Sequence, residues 1–215
     1  MRAAGILVLC VFSYILSTGA SLKCKECVGL RNECEKWSVK EVECKEKETF
    51  CSTTVFNSTI NSPLVSHFIT KGCSKAEDCF DGLASTTTVD GRFKIVRRNC
   101  CQTDVCNEGS LLLENYETLK PNGLQCPGCF ALGDDYCEAN QTVNCVGEED
   151  QCLTLNGSTR ALNYIEKYTY EGCTTNDSCS HPVGPSLEAG GILMYSVTTK
   201  LECRNATSPE PDDDQ

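Results

Sequence analysis

Histidine is nearly missing from this sequence: His67 and His181 are the only two among 215 residues. Hydrolysis through a histidine base, or a histidine-rich zinc centre, therefore has little to draw on. His67 lies among strand-forming apolar residues and His181 precedes Pro182, so both read as surface or packing side chains. No glycine-rich loop of the kind that cradles phosphates is present. The acidic runs Asp134-Asp135 and Glu148-Glu149-Asp150 lack the alternating spacing and closing glutamate of a calcium loop, and read as solvated loops. No metal, cofactor or enzymatic activity is expected.

Long apolar runs are equally scarce. Ile6 to Leu16 is the one candidate, and it is too short to cross roughly 30 Å of hydrocarbon. Preceded by Arg2 and followed by Ser17-Thr18-Gly19-Ala20, it reads as a secretory signal over residues 1–20, cut after Ala20. Ser208 to Gln215 is polar and acidic, not the hydrophobic tail of a lipid anchor. The expectation is a secreted, extracellular protein without a membrane anchor.

Basic residues run short in one half only. Residues 21–109 hold 13 Lys and Arg against 13 Asp and Glu, whereas residues 126–215 hold 4 against 15. An acidic field of that kind repels nucleic acid and anionic membranes. It suits a basic protein partner, and it also serves solubility.

Cysteine is abundant. Of 19, Cys10 falls in the signal, which leaves an even 18. In an exported chain that density reads as a disulfide framework rather than a set of zinc sites. Five sequons, at Asn57, Asn140, Asn156, Asn176 and Asn205, are candidate glycosylation sites.

The cysteines repeat. Cys24, Cys27, Cys34, Cys44, Cys51, Cys73, Cys79 and Cys100 are separated by 2, 6, 9, 6, 21, 5 and 20 residues. Cys126, Cys129, Cys137, Cys145, Cys152, Cys173, Cys179 and Cys203 are separated by 2, 7, 7, 6, 20, 5 and 23. Gly72-Cys73 aligns with Gly172-Cys173, so the chain holds two copies of one module. The first copy adds Cys101, Cys106 and Asn107; the second has no such pair. Modules this small are marginal for a self-sufficient apolar core, and disulfides of about 2–4 kcal/mol each make up the difference.

Between cysteines the residues favour strands. Ser52 to Phe56 pairs in pattern with His67 to Thr70, and Ser85 to Val89 with Arg92 to Val96 across the hairpin signal Asp90-Gly91. Tyr164 to Tyr170 and Ile192 to Thr199 repeat the theme; Lys36 to Glu48 reads as a solvated loop or hairpin. The expected layout is domain 1 over residues 21–109, a linker over 110–123 closing on Pro121-Asn122-Gly123, domain 2 over 124–205, and a disordered acidic tail over 206–215. Leu111 to Leu113 could pack between domains or support a homo-oligomer.

Cys100-Cys101-Gln102-Thr103-Asp104-Val105-Cys106-Asn107, with the paired Cys-x2-Cys openings and Gly-Cys before a five-residue gap, resembles the lymphocyte-antigen and urokinase-receptor family. That resemblance covers residues 22 to 205. It implies an all-β, disulfide-rich fold of two tandem three-finger domains like those of snake toxins. It also implies pairings that spacing alone leaves open: Cys24–Cys51, Cys27–Cys34, Cys44–Cys73, Cys79–Cys100 and Cys101–Cys106, then Cys126–Cys152, Cys129–Cys137, Cys145–Cys173 and Cys179–Cys203. Asn107 matches the family's structural asparagine, which ties the last segment to the palm. Cys24-Lys25-Glu26-Cys27 and Cys126-Pro127-Gly128-Cys129 would then be structural, not the redox motif they mimic.

Lys120-Pro121-Asn122-Gly123-Leu124-Gln125-Cys126-Pro127 is similar to the second-domain opening of gamma-type phospholipase A2 inhibitors. It also resembles secreted relatives that combine phospholipase A2 inhibitor and lymphocyte-antigen/urokinase-receptor domains. The implied function is non-catalytic binding of a secreted, basic phospholipase A2. The candidate binding residues are the second-finger tips, Asn57 to Leu64 and Asn156 to Asn163, and the linker at Pro121. The alternative is a signalling ligand or pheromone-like factor that binds a receptor, as in the similar sodefrin-precursor-like group.

Overall fold

In a computed structural model, the described residues are 21–30, 34, 39–60, 66–161, 164–180, 186–189 and 192–209. Expectations for the signal at 1–20, Leu64, Asn163, His181 and the tail from 210 onward lie outside them.

Twelve strands follow the chain: β1 (Lys23–Leu30), β2 (Lys40–Glu43), β3 (Phe50–Ser58), β4 (Ser66–Ser74), β5 (Gly82–Thr88) and β6 (Phe93–Cys101) in the first domain; β7 (Pro121–Leu132), β8 (Gln141–Val146), β9 (Gln151–Ala161), β10 (Tyr164–Thr174), β11 (Ser186–Ala189) and β12 (Ile192–Asn205) in the second. Each domain is three antiparallel hairpins, and both are three-finger domains. Asp90 and Gly91 have φ of 58° and 65°, the mirror-image turn whose twist suits a two-residue hairpin. That is why the Asp90-Gly91 signal could be read from sequence.

The disulfides form the cores. In the first domain Cys24, Cys44 and Cys51 pack with Leu22, and Cys27 and Cys34 pack with Ile69. The structure joins Cys24–Cys51, Cys27–Cys34, Cys44–Cys73, Cys79–Cys100 and Cys101–Cys106. In the second domain it joins Cys126–Cys152, Cys129–Cys137, Cys145–Cys173 and Cys179–Cys203. Asn107 accepts from the Lys25 amide at 2.8 Å and donates to the carbonyls of Lys25 and Ser52. Three bonds from one buried side chain thus close the first palm.

The second palm closes differently. The Gln125 amide donates to the Thr207 carbonyl at 2.7 Å, and the Thr207 amide donates back at 3.2 Å. Ala206 packs on the cysteine cluster. This corrects the expectation of a disordered tail from residue 206: backbone pairing holds at least Ala206 and Thr207. The linker differs too. Pro121 opens β7 opposite Val146, and Gly123, at φ 87°, sits in the register shift between Pro121 and Gln125. Tyr116 stacks on Phe93 with ring centroids 4.0 Å apart.

The sheet does not stop at the domain boundary. Thr86, Thr87 and Thr88 of β5 pair antiparallel with Thr174, Cys173 and Gly172 of β10. β10 meets β7 over Tyr168 to Glu171, then switches to the first domain at Gly172. The switch needs glycine. A Cβ at Gly172 would lie 2.1 Å from the Thr87 carbonyl oxygen, whereas one at the equivalent Gly72 would meet nothing within 4 Å. We predict that Gly172→Ala pushes β10 off β5, lowering the unfolding free energy by about 2 kcal/mol or more. Cleavage of the linker by limited proteolysis should quicken. Gly72→Ala should change neither readout measurably.

Candidate functional site

The structure scatters the residues singled out by sequence. Asn57 is a correction: it lies within β3, opposite His67 and Ile95, and is only 7 % exposed, with its Oδ1 unpaired among the described residues. It is neither a finger tip nor accessible to a glycan without opening the sheet. Just beyond it, Ile60 is buried against Leu153, Tyr168 and Tyr170 of the second domain. The tip of the first domain's second finger therefore docks on its neighbour. Asn156 is half-buried on β9, its Nδ2 donating to the Asp135 carbonyl at 2.5 Å. Asn140, Asn176 and Asn205 are exposed, as are Pro121 and Leu112.

What does come together is the end of the second domain's first two fingers. Gly133, at φ 81°, turns the chain out of β7, and its amide donates to the Lys167 carbonyl at 2.8 Å. Thr169 Oγ1 donates to the Asp134 carbonyl at 2.9 Å, and Lys167 forms an ion pair with Asp135. These contacts stitch the loop after β7 onto β9 and β10. They leave Leu132, Tyr136 and Ile165 large, apolar and open: 49 %, 71 % and 52 % exposed. Asp134, Asp135 and Glu138, next to Leu132 and Tyr136 in the chain, are exposed as well. Apolar anchors beside exposed carboxylates suit a basic protein surface.

Glu149 is the residue that sequence reasoning missed. Read as part of a solvated acidic loop, it is instead fully buried, 0 % exposed, at the domain junction. Its Oε1 accepts from Ser85 Oγ at 2.8 Å and from Thr87 Oγ1 at 2.9 Å, and its Oε2 accepts from the Val146 amide at 3.1 Å. Thr87 Oγ1 also lies 2.6 Å from the Tyr116 hydroxyl. One carboxyl thus joins the first domain's β5 to the second domain's β8, with no cation among its hydrogen-bond partners.

The pattern of the u-PAR/Ly-6 domain matches residues 20–109 and again 122–207. The chain belongs to the u-PAR/Ly-6 family. It is 30 % identical over 175 residues to the phospholipase A2 inhibitor NAI of Notechis ater, a match spanning 81 % of this chain and 84 % of that one. It is 28 % identical over 207 residues to the phospholipase A2 inhibitor PIP of Malayopython reticulatus, spanning 95 % and 97 %. The urokinase plasminogen activator surface receptor of Rattus norvegicus is 28 % identical over 199 residues, spanning 90 % of this chain and 57 % of the receptor.

In this u-PAR/Ly-6 chain the Glu149 carboxyl is pushed up from 4.5 to about 7, chiefly by burial, while the Val146 amide and the Ser85 and Thr87 hydroxyls pull it down. The native state therefore holds the proton up to about pH 7, and the unfolded chain releases it near 4.5. Stability from this group is complete below pH 4.5 and falls as pH rises to 7, by up to about 3 kcal/mol. Guanidinium midpoints measured from pH 4 to 8 should show that fall. Glu149→Gln, whose amide can face the two hydroxyls, should flatten it.

Proposed function

We propose that this chain is a secreted, non-catalytic binding protein that inhibits a basic secreted phospholipase A2 by covering it. The observation that carries the reading is the strongly exposed Tyr136, with exposed Leu132 before it at the end of β7 and the exposed carboxylates Asp134, Asp135 and Glu138 beside it in the chain. Two relatives named as phospholipase A2 inhibitors, similar over most of their length, support the partner class. Tyrosine is among the residues that dominate interface energetics, so Tyr136 is the leading anchor. These carboxylates speed encounter with a basic enzyme, an effect that salt weakens. Exposed Asn140, Asn176 and Asn205 are the positions proposed for glycans.

Titrating the recombinant chain against basic and acidic secreted phospholipases A2 tests this. Stoichiometric inhibition of a basic enzyme is expected, weaker at high salt and reduced about tenfold or more by Tyr136→Ala. No binding to any of them at micromolar concentration would overturn the reading.

A further inference from the structure

Where the third finger of the first domain faces the second and third fingers of the second, the chain encloses a cleft. Ala84 and Val96 line it from β5 and β6, and Leu155 and Leu201 from β9 and β12. Polar side chains line it too: Thr86, Lys94, Tyr170, Asp177, Ser178 and Thr198. Among the described residues the Lys94 ammonium has neither a hydrogen-bond acceptor nor a carboxylate at ion-pair distance. Tyr170 is 4 % exposed, and its hydroxyl also lacks a hydrogen-bond partner there. Arg98, four residues further along the same face of β6, is fully engaged. Its Nε donates to Thr54 Oγ1 at 2.8 Å, another nitrogen donates to the Asp78 carbonyl, and the guanidinium stacks over Phe80.

The polar ends of Lys94 and Tyr170 are both open to the cleft and have no partner among the described residues, so a ligand entering it meets two unengaged donors. An ammonium and a phenol call for an acceptor of negative charge, and the leucines call for a hydrocarbon. We propose that this interdomain cleft binds an aliphatic carboxylate, its head held by Lys94 and Tyr170 and its chain laid on Leu155 and Leu201. A carboxylate offers only acceptors and takes both donors in charge-assisted bonds, while its alkyl chain leaves water. An alcohol of equal length leaves the ammonium unpaired, and an inorganic anion leaves the leucines uncovered. The proposal does not depend on the phospholipase reading.

The Lys94 amine is pushed down to about 8, first by burial and second by the neighbouring Arg98 charge. The charged or titratable groups facing it are Arg98 on its own strand, Tyr170 on β10 and Asp177 from the short helix Asn176–Ser180. The cleft-lining residues of β5, β9 and β12 are uncharged. Affinity should accordingly be full near pH 6.5 and fall as pH rises past 8.

Isothermal titration of the oxidised secreted chain with decanoate, below its micellar concentration, tests the site. Saturable one-to-one binding is expected at pH 6.5, about tenfold or more weaker at pH 9.5. Lys94→Met should weaken it by a similar factor, and Lys75→Met, on an exposed lysine, should not. Equal binding of decanol, unchanged binding by Lys94→Met, or no saturable binding would overturn the proposal. So would binding of an acidic peptide without binding of decanoate. Should Lys94→Met fail to fold, acetylation of the unaltered chain, read by mass spectrometry, replaces it: decanoate must protect Lys94 and not Lys75. Equal labelling with and without decanoate overturns the proposal.

Discussion

The pairing of β5 with β10 is the contact on which the rest of the molecule depends. β5 is buried along Ala84 to Thr88, yet most of that stretch is serine and threonine. Buried hydroxyls are tolerated only when each finds a partner. Ser85 and Thr87 reach Glu149, Thr86 meets Thr174 at 2.9 Å, and Thr88 donates to the carbonyls of Glu171 and Cys129. Every one of those partners belongs to the second domain. The first domain's third finger is therefore an interior strand of a shared sheet and not a free finger, and the cleft beside it exists because the pairing fixes the distance between domains.

That arrangement also explains how the acidic charge is distributed. Among the described residues Glu149 is the fully buried carboxyl of the second domain, and its hydrogen-bond partners are hydroxyls and an amide. A strongly cationic partner there would add desolvation of a second charge. Protonation is the cheaper solution, and it makes the junction most secure in mild acid. Asp134, Asp135 and Glu138 stay in water, where they project the field that a basic partner would meet.

Much of the fold is legible in the sequence because cysteines and hairpins leave periodic marks. The matching spacings from Cys24 and from Cys126 reveal two modules, and Asp90-Gly91 marks a turn by its backbone demands. The junction leaves no such mark. Ser85 to Thr88 has the β-branched composition of a strand, but nothing in it distinguishes a strand with one wet face from one buried on both. Glu149 stands between Glu148 and Asp150, both exposed, so its neighbours argue for solvent. Gly72 and Gly172 occupy the same place in the repeat, and only the neighbouring domain makes one indispensable. Burial of polar groups against a second domain is a tertiary fact, invisible to local pattern.

The second domain has no Cys101–Cys106 equivalent, and the same junction adds packing where that disulfide is missing. Val89, at the turn of the first domain's third finger, is buried with Cys126, Val143, Cys145, Cys152 and Cys173. Ile60 does the same for Leu153, Tyr168 and Tyr170. The first domain thus supplies two aliphatic side chains to its neighbour's cores, each fully buried methylene contributing about 0.8 kcal/mol. With that burial and the Gln125–Thr207 bridge, the second palm is closed by packing and backbone pairing where the first is closed by a disulfide and Asn107. The second module is therefore completed by the first. Cutting the linker would remove from it not a tether but part of its core.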